Sequence, residues 1–149
     1  MLKRIESWAN EAQCALGRGR PEGAYERVLA ELLIADGFSV ECQREIYVEV
    51  AVGGRALNVL VGRCDMIVNL PGGHPILLEL KAGVELKEQH REQLERYATD
   101  LDFGFEAERA FMLYFDLPDR RECWLVPLDQ VRMWAESNKE YRKRLAGRK

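Results

Sequence analysis

No run in this chain is apolar enough, for long enough, to cross a bilayer. Its start lacks the charged, apolar and small-residue order of a secretory leader, since Met1 to Glu6 already reads as amphipathic helix. A cytoplasmic protein with no membrane association is therefore expected. Cysteine is sparse. The four stand alone at 14, 42, 64 and 123 without a CxxC pair, which excludes the usual zinc and iron–sulfur spacings. In a reducing compartment they should be small buried apolar residues, not disulfides. Excess positive charge is missing too: 22 Lys and Arg against 25 Asp and Glu leave a net charge of −3. That excludes a basic coat over the whole surface, though not a local basic groove. The basic residues that do cluster are Arg18 with Arg20, and Arg142 to Arg144 with Arg148 and Lys149. The second group reads as a solvated helix end favoured by the dipole. There is no internal repeat, linker or low-complexity tract.

What is present is an ordinary globular composition. With 149 residues, 47% hydrophobic and 32% charged, a single domain spanning 1–149 can bury a real core. Leu2, Ile5, Trp8, Ala9, Ala12 and Leu16 form a helical stripe over 2–16. Gly17 to Pro21 breaks it. Pro21 suits the first position of a second helix reaching about Asp36, with Gly37 as its C-terminal cap. Ser39 to Val52 alternates as a strand. Gly53-Gly54 is a hairpin turn, and a second strand runs from about Leu57 to Leu70 with Gly62 as a bend or bulge. After the turn Pro71 to Pro75 comes a short strand containing Glu79. Glu85 to about Leu101 is a helix, about ten residues of loop follow, and Phe111 to Phe115 and Cys123 to Val126 are strands. Asp129 should cap a closing helix striped by Val131, Trp134, Asn138, Tyr141 and Leu145. The order α-α-β-β-β-α-β-β-α predicts an α/β fold with a central mixed sheet flanked by helices.

The stretch Ile76 to Lys81 is the informative one. Alternation puts Glu79 and Lys81 on one face of a buried strand and Leu78 and Leu80 on the other. A buried carboxylate beside a buried ammonium needs a partner or an ion. Asp65 interrupts the apolar run of the preceding strand, which pairs with Glu79 by hairpin. Two adjacent carboxylates raise each other's pKa, and a divalent cation with hard oxygen ligands, such as Mg²⁺, resolves the conflict. Lys81 beside that ion could stabilise charge growing on a phosphate or position the attacking water. Glu22 and Tyr25 share a helix face, with Glu22 in the first turn. His90, Gln93 and Tyr97 share one stripe of the later helix. Taken singly, each has a plain alternative: a strand-end salt bridge, an edge-facing Asp, an acid favoured at a helix start, a rim glutamine.

Together, in this order, these residues resemble the PD-(D/E)XK nuclease superfamily, and within it the small GxxExxY group. Gly19 to Tyr25 fits that signature at each fixed position. Asp65 matches the first metal-binding acid, Glu79-Leu80-Lys81 the ExK, and Gln93 to Tyr97 the QxxxY of RecB-type nucleases, with His90 just ahead. Cys64 stands where the superfamily's name has proline. The glutamate usual at the place of Leu32 is shifted to Glu31, and the loop after Tyr97 carries Glu106 and Glu108. The resemblance covers roughly residues 16–115. It implies a restriction-endonuclease-like fold and a nuclease acting on DNA in preference to RNA. Asp65, Glu79, the Leu80 carbonyl and Glu22 would hold Mg²⁺ or Mn²⁺. Lys81 would activate water, and Gln93, Tyr97, His90 and Tyr25 would support the site. A non-catalytic nucleic-acid-binding or assembly module on the same fold is the alternative. A homodimer through Trp124, Trp134 and Tyr141 stays open.

Overall fold

A computed structural model describes residues 1–69, 71–101 and 107–147. Leu70, expected to end the second strand, lies outside the described residues, as do Glu106, Arg148 and Lys149. Helices α1 (Leu2–Leu16) and α2 (Glu22–Ala35) come first, then strands β1 (Ser39–Val52), β2 (Arg55–Asn69) and β3 (Ile76–Ala82). Helix α3 (Glu88–Asp100), a short 3-10 turn, β4 (Ala110–Phe115), β5 (Trp124–Pro127) and α4 (Leu128–Ala146) complete the order. The sheet runs β1-β2-β3-β4-β5, with β3 and β4 parallel and every other pair antiparallel. The parallel step requires a crossover, and α3 supplies it. The result is the expected α/β architecture: a five-stranded mixed sheet between four helices, of restriction-endonuclease-like type.

Two cores hold the layers. Ile5, Ala9, Tyr25, Leu29 and Leu33 from α1 and α2 pack on Met66, Val68, Leu78, Leu80, Leu113 and Phe115. On the opposite face, Leu94, Ala98, Leu128 and Val131 from α3 and α4 pack on Cys64, Ile67, Leu77, Met112 and Tyr114. Leu77 and Leu78 thus take opposite sides, as strand alternation demands.

That alternation breaks within the β1–β2 ribbon. Val40 packs toward α1 and α2 while Ile46 packs toward α3 and α4, although both are even-numbered on β1. On β2, Cys64 and Met66 likewise take opposite sides. The ladder pairs Cys42 with Met66 and Arg44 with Cys64, skipping Gln43 and Asp65 between them. Gln43 has φ +53°, the left-handed region that disfavours side chains. Both strands therefore reverse their faces at this facing pair.

Several local expectations shift. Pro21 is the N-cap of α2, not its first helical residue, because its φ of −63° with ψ 148° is extended. Asp129 does not cap α4. Pro127 occupies the N-cap, and Asp129 sits in the first turn beside Arg132. Helix α3 begins at Glu88, since Lys87 is still extended with φ −129°. Cys64 and Cys123 are buried as expected, but Cys14 and Cys42 are exposed. Tyr141 and Leu145 are exposed as well, so the far end of the α4 stripe is not buried. Trp124 and Trp134 are half-buried and line one cleft with Leu86 and Leu117. Among the described residues no helix is long and apolar enough to cross a membrane.

Candidate active site

The pairing of β2 with β3 covers Met66 to Val68 and stops there. Where the strands part, side chains take over the ladder's work. The Asp65 N–H donates to Glu79 Oε1 at 2.8 Å, and the Leu80 N–H donates to Asp65 Oδ2 at 2.7 Å. Each acid thus caps the other strand's free backbone, which fixes two carboxylates at the mouth of a fork. Glu79 is 1% exposed. Burial, reinforced by the Asp65 charge and offset in part by Lys81, pushes its pKa up to about 9. Without a cation, Glu79 therefore keeps its proton at neutral pH.

Glu22 approaches from the first turn of α2. It is half-buried and accepts the backbone N–H of Ala82. Burial raises its pKa, the Asp65 charge raises it further, and Lys81 lowers it. The Lys81 charge acts on both Glu22 and Glu79 and lowers the pKa of each. The stretch Gly19 to Tyr25 acquires a physical account. Gly19 has φ +75°, which a side chain would strain, and its N–H donates to Asp116 Oδ2 at 2.8 Å. Tyr25 donates to the Gly17 carbonyl at 2.6 Å and stacks on Phe115 at 4.9 Å. Gly19 and Tyr25 pin the loop and the helix, and Glu22 between them is presented to the fork.

The residues of α3 divide. His90 is buried, and its Nδ1 lies 2.8 Å from the Tyr114 hydroxyl. Tyr114 pairs with Lys81 across the parallel strands. Burial, then the charges of Lys81 and Lys87, lowers the His90 pKa to about 4, so the ring is neutral. The Lys87 N–H also points at Nδ1, 3.3 Å away. Nδ1 is therefore the acceptor, and the proton sits on Nε2. Gln93 donates to the Tyr97 hydroxyl at 3.2 Å instead of to any of the acids. Tyr97 in turn lies over Gly62, where a Cβ would stand 2.8 Å from its ring. A β-bulge falls at the same point, since Ile46 pairs with Gly62 and Tyr47 with Leu60. Tyr25, Tyr97 and Gln93 thus build walls around the fork, while Glu22, Asp65, Glu79 and Lys81 meet at it.

Two members of the cluster, Glu26 and Gln43, lie outside the motifs read from the sequence. Glu26, one turn after Glu22, is buried with its pKa raised by desolvation. Gln43 donates from Nε2 to both Glu26 oxygens at 3.0 Å and to Asp65 Oδ1 at 3.1 Å. The one sequence signal was the pair Glu22 and Glu26. Like charges at i, i+4 on one helix face repel and call for a compensating partner.

Among the described residues no group of three or more His, Cys, Asp or Glu side chains is disposed to hold a metal ion by itself. Asp65 and Glu79 nevertheless fit a hard divalent ion. They are two adjacent oxygen donors of high negative charge density, and the proton retained on Glu79 marks an unmet demand for a cation. The Leu80 carbonyl and water would complete such a shell.

No curated protein matches this chain. A solved structure titled "Crystal structure of SSO0001" is 21% identical, covering 93% of this chain and 69% of that one with a TM-score of 0.40, a superposition too loose to add to the fold. The profile of the PD-(D/E)XK nuclease superfamily matches residues 1–118, which contain α1 to β4 and every acid of the fork. The chain belongs to the PD-(D/E)XK nuclease superfamily.

Proposed function

We propose that this protein is a metal-dependent nuclease that hydrolyses phosphodiester bonds of DNA, with residues 1–149 forming one nuclease-like domain. The observation that carries the reading is the reciprocal grip at the fork, where Asp65 and Glu79 each accept the other strand's N–H beside Lys81. Gly19 to Tyr25 keep the GxxExxY spacing, and the loop pinning that spacing achieves supports membership of that group.

In this reading Asp65, Glu79 and the Leu80 carbonyl hold Mg²⁺ or Mn²⁺, with Glu22 contributing directly or through water. The ion, when bound, supplies charge neutralisation at the phosphate and acidifies a bound water. Lys81 would orient the attacking water and stabilise the charge that builds on the phosphate oxygens. Glu79, freed of its proton, joins Asp65 as an anionic donor. His90 stays neutral beneath Lys81, with Tyr114 holding its ring, so it adds no competing positive charge to the site. Gln93 and Tyr97 line the α3 wall against β2, where a nucleic-acid backbone would pass.

The test is cleavage of plasmid and single-stranded DNA with Mg²⁺ or Mn²⁺, comparing the wild type with Lys81→Ala and Asp65→Ala. Cleavage left intact in both variants rejects the assignment. A non-catalytic nucleic-acid-binding module on the same fold is favoured by one observation, the lack among the described residues of a ready-made three-ligand cluster. It predicts a gel shift without metal and no product under any condition.

A further inference from the structure

Gln43 is the one residue of β1 whose backbone is left-handed, with φ +53°, and it faces Asp65 across a gap in the ladder. Its amide donates to both oxygens of buried Glu26 at 3.0 Å and to Asp65 Oδ1 at 3.1 Å. Its two N–H groups are thus divided between two acids. The orientation of that amide follows from charge. Turned over, the Gln43 carbonyl oxygen would face two carboxylates, so Glu26 fixes which end points at Asp65. The other Asp65 oxygen already accepts the Leu80 N–H at 2.7 Å. Asp65 is therefore held at both oxygens, each keeping a lone pair free.

We infer that Gln43, gripped by Glu26, is a positioning residue that sets the plane of the Asp65 carboxylate for cation binding. The inference rests on the reading of Asp65 as a metal ligand. The face reversal of both strands explains the unusual backbone. Extended geometry at residue 43 would keep Val40 and Ile46 on the same side and carry the Gln43 side chain away from α2. The left-handed turn points the amide at α2 and Asp65 together.

Glycine adopts φ +53° freely, so Gln43→Gly removes the amide while relieving the backbone. This separates positioning from stability. Gln43→Gly should stay folded, the relieved backbone offsetting part of the cost of leaving buried Glu26 without its amide donor, yet bind Mn²⁺ about 10- to 100-fold more weakly by calorimetry, the usual effect of losing a residue that orients a ligand. Gln43→Asn tolerates the same φ but reaches one methylene less, and should not restore affinity. Glu26→Ala, which removes the acceptor altogether, should abolish the protection from solvent exchange of the Gln43 side-chain amide protons, read by NMR without metal. Mn²⁺ affinity within twofold of wild type in Gln43→Gly overturns the inference. If the wild type itself binds no Mn²⁺, the metal reading fails separately. A crystal structure of Gln43→Gly then decides the positioning claim: an unmoved Asp65 carboxylate overturns it, and a rotated one upholds it.

Discussion

The two halves of the β1–β2 ribbon invert the usual rule of polar outside and apolar inside. Toward the sheet, β2 buries Cys64, Met66, Ile67 and Val68 and holds Asp65 among them. Away from it, Val50, Val52, Leu57, Val59, Leu60 and Val61 are 38–57% exposed. Composition does not separate the halves; coverage does. Helices lie over the near half on both sides, and β3 pairs with β2 only at Met66 to Val68. Beyond the bulge at Gly62, β1 and β2 pair only with each other among the described residues. Asp65 is half-buried where backbone N–H groups meet the carboxylates of the fork, and valines are exposed where the two strands pair only with each other. The lesson is that burial belongs to the site's geometry, and the sharpest tests contrast the two halves.

The largest effect expected is on the near half. Lys81→Ala or Asp65→Ala should reduce DNA cleavage by about a hundredfold or more, since each removes a charge the transition state depends on. Parallel substitutions at Glu49 or Asn58 in the far half should leave the rate unchanged in the same assay. Next comes packing. Leu78 is fully buried under α1 and α2, and Leu78→Ala should lower unfolding stability by about 2–5 kcal/mol in urea denaturation.

The neutral histidine gives a pH test of the near half. His90 is 8% exposed and its pKa is lowered to about 4 in the folded chain. Above about pH 6.5 the ring is neutral in both states, and its contribution is complete. As pH falls from 6.5 toward 4, the unfolded chain takes up a proton that the folded chain refuses. Stability is lost across that window and no further below it, by up to about 3 kcal/mol. Thermal melts between pH 4 and 7 should show the decline, and His90→Gln should flatten it. A decline of equal size in His90→Gln would assign it to other groups.

A smaller effect sits at the boundary between the halves. Gly62→Ala would set a Cβ 2.8 Å from the Tyr97 ring. The ring must swing away, at about 1–3 kcal/mol, and release its bond to Gln93. A double substitution with Tyr97→Ala should recover most of that loss, because the clash then has no partner.

How far the sequence reads ahead follows the same division. Periodicity places β1 at Ser39–Val52, the bulge at Gly62 and the Gly53-Gly54 turn, because those features are local. The four residues meeting at the fork were each legible through family spacing. Gln43 was not, because a glutamine in a strand looks like solvent-facing decoration; only its φ and its partners reveal it. Glu26 was hidden for a related reason, since an exposed-looking helix acid becomes buried only when β1 folds beneath it. The alternation of Val48, Val50 and Val52 marks an apolar face, yet Val48 is only half-buried and Val50 and Val52 are exposed. Periodicity reports which face is apolar, and only tertiary coverage decides whether it is buried.

That last point yields the smallest expected effect. By alternation from Ile46, Val50 and its partner Leu57 share a face with Val48 and Val59. Val59→Thr keeps the β-branched shape and replaces a methyl by a hydroxyl. On an uncovered ribbon that hydroxyl meets water, so stability should change by less than about 0.5 kcal/mol and the cleavage rate not at all. The same swap at Val68, fully buried in the near half, places the hydroxyl in a dry core and should destabilise by at least about 1 kcal/mol. Urea denaturation of the two variants side by side measures the contrast. A loss at Val59 as large as that at Val68, growing with protein concentration, would mean that the far half is covered in solution, and the inversion between the two halves would disappear.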